Sequence, residues 1–183
     1  EDMLEFDTNI LRFSYSSMTT PEEVYDYDMD GRTRVLRKRQ KIPSGHNPKN
    51  YVTRRLFATS HDGVKVPVSI LHQKGLKLDG SAPLMLQGYG SYGHAYEASF
   101  ASNRFSLVDR GFVFAIAHIR GGTDKGYGWY LDGKLEKKPN APAATGGVAV
   151  GGGYIGRGPD PCQHGFWEFL KKKIYFNTLS KIL

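Results

Sequence analysis

The chain has 183 residues, 39% hydrophobic and 23% charged, a balance that supports a packed core and excludes wholesale disorder. No apolar run approaches the ~20 residues that cross a bilayer, and the single cysteine, Cys162, excludes an internal disulfide framework or a Cys-based zinc site. The formal charge of +7 lies largely in Arg32, Arg34, Arg37, Lys38, Arg39 and Lys41 and in the run from Lys171 to Lys173, without the interleaved aromatic or base-reading side chains that nucleic-acid recognition needs.

The opening EDMLEFDTNI lacks the basic flank and apolar run of a secretory leader. It enters a strand pattern at once without an initiator Met, as the middle of a longer chain would. A lone thiol suits a reducing compartment, so a cytoplasmic location is expected, with neither nucleic acid nor membrane as partner.

Residues 8 to 56 alternate in short strands: TNILRFSYSS, EEVYDYDMD, TRVLRKRQK and NYVTRRLFA. Turn chemistry at Thr20-Pro21, Asp30-Gly31 and Ser44-Gly45 separates them. Strands at ~8–12-residue spacing, with the alternating Tyr25 and Tyr27, suit one blade of a β-propeller. One blade cannot bury both of its faces alone, so neighbours are implied. The basic run falls between strand patterns and reads as a solvated strand face. A non-catalytic, basic, β-rich binding fragment is the alternative reading of this part.

From Arg54 the texture changes. RRLFATSHDGVKVPVSILHQKG predicts a hairpin about the Asp62-Gly63 turn. LMLQ after Pro83 is a short apolar run of the kind buried on both faces of a parallel sheet. Residues 98 to 109 predict a helix stopped by Gly111, and GFVFAIAHI predicts a second buried strand. Strand, helix and strand make a parallel crossover unit. The expected organisation is therefore 1–53 as the end of a propeller, 54–140 as the first part of an α/β-hydrolase domain, and 141–183 as a Gly/Ala-rich tail. That tail shows no sustained period until FWEFLKKKIYFNTLSKIL, which fits a short amphipathic helix. The abrupt compositional swing at Ala141 suggests a change of reading frame.

Gly88-Tyr89-Gly90-Ser91-Tyr92-Gly93 follows the first buried strand, where open α/β sheets place ligands. Glycines permit a turn tight enough to aim donors at a developing oxyanion, and a tyrosine hydroxyl can be one donor. An ordinary Gly-rich loop with a surface tyrosine fits the same residues. Ser91 has Tyr89, not glycine, two positions before it, so this turn is no nucleophile elbow. Arg120, Gly121 and Gly122 follow the second strand. Arg120 has two readings: it meets a substrate carbonyl or carboxylate, or it pairs with an acid such as Asp124 or Asp132. Trp129 and Tyr130 read as packing residues.

Gly151-Gly152-Gly153-Tyr154-Ile155-Gly156 has dinucleotide-loop spacing, but Gly158-Pro159 forbids the helix such a loop must open. GGTDKG lacks the spacing of a phosphate loop. His61, His72, His94, His118 and His164 have no metal-ligand spacing. No cofactor or metal is implied.

Three strings together, IPSGHNPKNYVTRRLFATSHDGVKVPVSILHQKG, LMLQGYGSYGHAYEASF and FAIAHIRGGTDKGYGWYLDGKLEKKPN, resemble the prolyl oligopeptidase family of serine peptidases over about residues 1 to 140, and its oligopeptidase B branch in particular. The resemblance implies a β-propeller capping an α/β-hydrolase domain and cleavage of short peptides, after Arg or Lys in that branch. It implies that Tyr89 stabilises the oxyanion, and that Arg120, Gly121 and Gly122 border the substrate cleft. The family's nucleophile lies in a G-G-S-A-G-G turn further on, its Asp and His later still. There is no serine between Ser106 and Ser180, so no triad member is carried over, and the chain alone is expected to be inactive.

Overall fold

Two sheets organise the chain in the computed structural model, which describes residues 6–60, 62–79, 81–140, 147–150 and 153–155, the last two stretches as backbone. His61, Cys162, His164, Gly151, Gly152 and Gly156 of the glycine-rich motif, and the helix expected over the C-terminal run lie outside the described residues.

The first sheet is an antiparallel meander of β1 (Ile10–Tyr15), β2 (Glu23–Asp28) and β3 (Thr33–Arg39). Its three strands stay open, with β1 and β3 as edges. Acids on the central strand hold bases on both neighbours. Asp26 lies opposite Arg12 in register and accepts from it at 2.6 and 2.9 Å, and from Arg37 at 2.7 Å. Glu23 lies opposite Arg39 and accepts from it at 2.6 Å. The hydrogen bonds from Arg12 and Arg37 hold the Asp26 carboxyl at about 2. Arg37 and Arg39 of the basic run are therefore engaged in cross-strand pairing. Ile10, Leu11, Val35 and Leu36 remain exposed.

The second sheet has the order β4-β5-β7-β6-β8-β9. β4 (Tyr51–Thr59) and β5 (Lys65–Gln73) form the expected hairpin, paired from Tyr51↔Gln73 to Thr59↔Lys65. The fourth strand pattern thus lies in this sheet from Tyr51 on, after a 3-10 turn over Pro48–Asn50 that Asn47 caps. A nine-residue partner strand draws Tyr51–Thr53 into its ladder, which alternation alone could not show.

β6 (Leu84–Gln87), α1 (Ser102–Val108) and β7 (Val113–Ala117) form the crossover, with β6 and β7 parallel. α1 is shorter than predicted because residue 101 is still extended and carries no side-chain cap, while Gly111 at φ +87 ends the connection. Strand alternation divides the core. Val113, Ala115 and Ala117 pack with Val66, Val68, Ile70, Leu86 and Trp129, whereas Phe114 and Ile116 face Phe105 and Val108 of α1 with Leu71 and Met18. Each fully buried large side chain contributes roughly 1.5–3 kcal/mol. Burial on both faces explains why these strands read as unbroken apolar runs.

β8 (Gly147–Val150) pairs antiparallel with β6, and β9 (Gly153–Ile155) with β8. The sequence shows no sustained strand period there; the free edge of β6 supplies the ladder. Among the described residues no helix is long and apolar enough to cross a membrane.

Candidate functional site

Beyond the C-terminal ends of parallel strands β6 and β7 lie two glycine loops, Gly88–Gly93 and Arg120–Gly122, in direct contact. The Gly93 N–H donates to the Gly121 carbonyl at 3.0 Å, and the Thr123 hydroxyl donates to the Gly93 carbonyl at 2.7 Å. Gly90 has φ +60, and a Cβ there would meet Ile119 Cγ1 at 2.5 Å and the Arg120 carbonyl at 2.7 Å. Gly121 has φ +96, and its Cβ would strike the Gly90 carbonyl. These backbones touch at distances only glycine allows, which is why both motifs need it.

Tyr89 stands at the rim of this junction. Its side chain is 48% exposed, and its ring meets His94 edge-on at 5.9 Å. The residue is therefore half-exposed beyond the C-terminal end of β6, the edge at which open α/β sheets place ligands.

Arg120 faces the other way. It is only 3% exposed, and its guanidinium donates to Asp62, to Ser60 Oγ at 3.1 Å and to the Asn140 carbonyl at 2.8 Å. Its acid is neither Asp124 nor Asp132: Asp124 takes His118, and Asp132 takes Lys137 at 3.1 Å. The hydrogen bond from Arg120 holds the Asp62 carboxyl at about 2. In this arrangement the side chain ties the β4–β5 turn to the β7 loop, and Gly121 and Gly122 supply that loop's close approach to Gly90 and His94.

A buried relay lies beneath the loops. The Ser69 hydroxyl is 2.9 Å from His118 Nε2, and His118 Nδ1 is 2.8 Å from Asp124 Oδ1, which also accepts the Tyr96 N–H at 3.0 Å. Burial raises the Asp124 carboxyl, but the bonds from His118 and Tyr96 outweigh it and leave the group below the usual carboxylate range. The partners assign the proton to Nδ1, so Nε2 accepts from Ser69. That is the connectivity of a catalytic triad. Yet Ser69 and His118 are both buried, and Ser69 sits mid-strand with both neighbours paired. A hydroxyl enclosed in this way cannot reach a peptide carbonyl. The relay instead joins β5, the β7 loop and the segment leading to α1.

Trp129, on α2 (Tyr127–Leu131), packs as expected. Its indole N–H donates to the His118 carbonyl at 3.1 Å, and Lys125 lies over its ring at 4.4 Å. Sequence reasoning missed the pairing of Asp62 with Arg120, the Ser69–His118–Asp124 relay, and Lys138, whose ammonium reaches the Tyr89 turn. The polar His118 closing an apolar strand was the only local sign of the relay.

The chain is similar to known proteins over about three quarters of its length. The pattern of the prolyl oligopeptidase family matches residues 98–143. Dipeptidyl aminopeptidase BI of Pseudoxanthomonas mexicana is 44% identical over 137 residues, which are 74% of this chain and 19% of that protein. Among solved structures, oligopeptidase B from Trypanosoma brucei with covalently bound antipain superposes with a TM-score of 0.67 at 46% identity, over 74% of this chain and 19% of that one. Oligopeptidase B from Leishmania major gives 0.68 at 38% identity, over 76% and 20%. The chain spans about a fifth of the length of the relatives it matches.

Proposed function

Since this chain carries the pattern of the prolyl oligopeptidase family, a family of serine peptidases, we propose that it is a piece of a serine oligopeptidase, comprising the last blade of a propeller and the first part of the hydrolase domain. The observation that carries this reading is the half-exposed Tyr89 phenol at the ligand end of the parallel pair β6/β7, beside the Gly121–Gly122 loop. In the intact enzyme a serine supplied by another part of the polypeptide attacks the scissile carbonyl, with histidine as base. The Tyr89 hydroxyl and a backbone N–H then share the oxyanion of the tetrahedral intermediate. Gly121 and Gly122 border the cleft through their backbone, and the buried Arg120 holds that border in place. Cleavage after Arg or Lys follows the oligopeptidase B branch. Short peptides are the substrates, in the cytoplasm, without cofactor or metal.

The 183-residue chain contains no accessible serine–histidine pair among its described residues, and residual catalysis from an oxyanion site alone is small. Purified chain is therefore expected to leave an arginyl-amide substrate intact; turnover abolished by a serine-directed reagent would refute this. The tail after Asn140 is proposed to be frame-shifted, so the other frame of the encoding DNA should restore a serine turn. In the enzyme so restored, Tyr89→Phe should lower kcat by about 10²-fold, the scale of one oxyanion donor, with KM little changed. An unaltered kcat would remove Tyr89 from the mechanism.

A further inference from the structure

The short 3-10 helix Leu135–Asn140 touches both loops of the site through two adjacent points. Lys138 Nζ donates to the Gly90 carbonyl at 2.5 Å and to Ser91 Oγ at 2.8 Å. Two residues on, the Asn140 carbonyl accepts from Arg120 Nε at 2.8 Å. One corner of chain therefore holds the loop after β6 with its lysine and the loop after β7 with its carbonyl. Pro139, between them, narrows the backbone freedom of the corner.

We propose that Lys138 is a positioning residue, a strap that fixes the peptide plane after Gly90 and thereby sets where Tyr89 stands against the Gly121 loop. This use of the strap rests on the oxyanion reading of Tyr89; the strap itself is a matter of conformation. Gly90 lies at φ +60, and a glycine backbone has more alternative conformations than any other. The Gly93 and His94 N–H groups anchor the far end of the turn, to the Gly121 and Ser91 carbonyls, each at 3.0 Å. Gly90 is packed against Ile119, Arg120 and Gly121, and among the described residues the hydrogen bond that reaches this near end, next to Tyr89, is the one from Lys138. Lys138 is an exposed residue whose ammonium is partly desolvated where it meets the turn, which lowers its pKa. A neighbouring cation does not share the task, because Lys137 reaches Asp132 instead.

The test is amide hydrogen exchange of the full chain by NMR, comparing Lys138→Met, Lys138→Arg and Lys137→Met. With the strap removed, Gly93 and His94 should exchange about tenfold faster, the effect of losing one charge-assisted hydrogen bond, and the Tyr89 ring signals should move. The core amides of Val68, Ile70 and Ala115 should keep their rates. Arginine restores slow exchange, and Lys137→Met leaves every rate alone. Unchanged rates at Gly93 and His94 in Lys138→Met would overturn the proposal. So would a uniform acceleration that included the core, or a failure of arginine to rescue. Tyr89→Phe in the same experiment should leave the turn slow, so a failure of Tyr89 chemistry would appear in turnover and not here.

Discussion

Replacing Arg120 by methionine keeps most of the side-chain volume and removes every donor. The guanidinium is almost fully enclosed and is shared by Asp62, Ser60 and the Asn140 carbonyl. Deleting one partner of a buried ion pair costs about 3–5 kcal/mol, because the other is left uncompensated. Here Asp62 keeps 30% side-chain exposure and can rehydrate, which places the loss near the lower figure, about 3 kcal/mol. For a chain of this size that lowers Tm by about 10 °C. Asp62→Asn keeps an acceptor but leaves the enclosed guanidinium without its counter-charge, so it should cost about as much, about 3 kcal/mol. Acid dependence supplies a second handle. The folded-state Asp62 pKa is held at about 2, below its unfolded value, so its stabilisation is complete above about pH 4. It is lost as pH falls through about 2, and both variants should lack that part of the acid limb. Urea unfolding followed by far-UV circular dichroism between pH 2 and 7 measures both effects. A cost below about 1 kcal/mol for Arg120→Met, with an unaltered acid limb, would show that the guanidinium does not bind the loops together.

Gly121→Ala forces a side chain into the left-handed region at φ +96 and against the Gly90 carbonyl, so a loss of at least about 2 kcal/mol is expected in the same unfolding assay. Gly128→Ala, in α2 with open space around the new methyl, should be neutral or slightly stabilising; equal losses at the two positions would refute the close-approach argument. Tyr51 donates to Asp109 at 2.7 Å, and burial together with that carboxylate pushes its phenol up to about 12. Stability from this pair is present below the unfolded tyrosine pKa and is lost as pH rises through about 12. A rapid pH-jump titration at 295 nm should show a component near pH 12 that Tyr51→Phe removes; if Tyr51→Phe instead removes a component near 10, the ordinary phenol value, the pairing is contradicted.

Some of this architecture was open to reading from local pattern. LMLQ and VFAIA are apolar runs too short for helices, and they became β6 and β7. Asp62-Gly63 lies at the turn of the β4–β5 hairpin, and Gly111 ended the crossover helix connection, because turn and cap chemistry act within a few residues. The extent of β4 was not legible, since its first residues join whichever sheet offers a partner, and that partner is Gln73. Nor was the strand edge taken up by β8, which depends on the free side of β6.

Chain order alone determined that Tyr89 and the Arg120 loop would stand beyond neighbouring strand ends, because a strand–helix–strand unit places both at the same edge of a parallel pair. Which way each side chain points was decided in three dimensions. Tyr89 is left at the rim, while Arg120 turns inward to an acid 58 positions away. Ser69, His118 and Asp124, scattered along the chain, meet in one buried relay. Local sequence encodes backbone preference over a few residues, whereas the direction of a charged side chain follows from which distant groups can offset its desolvation.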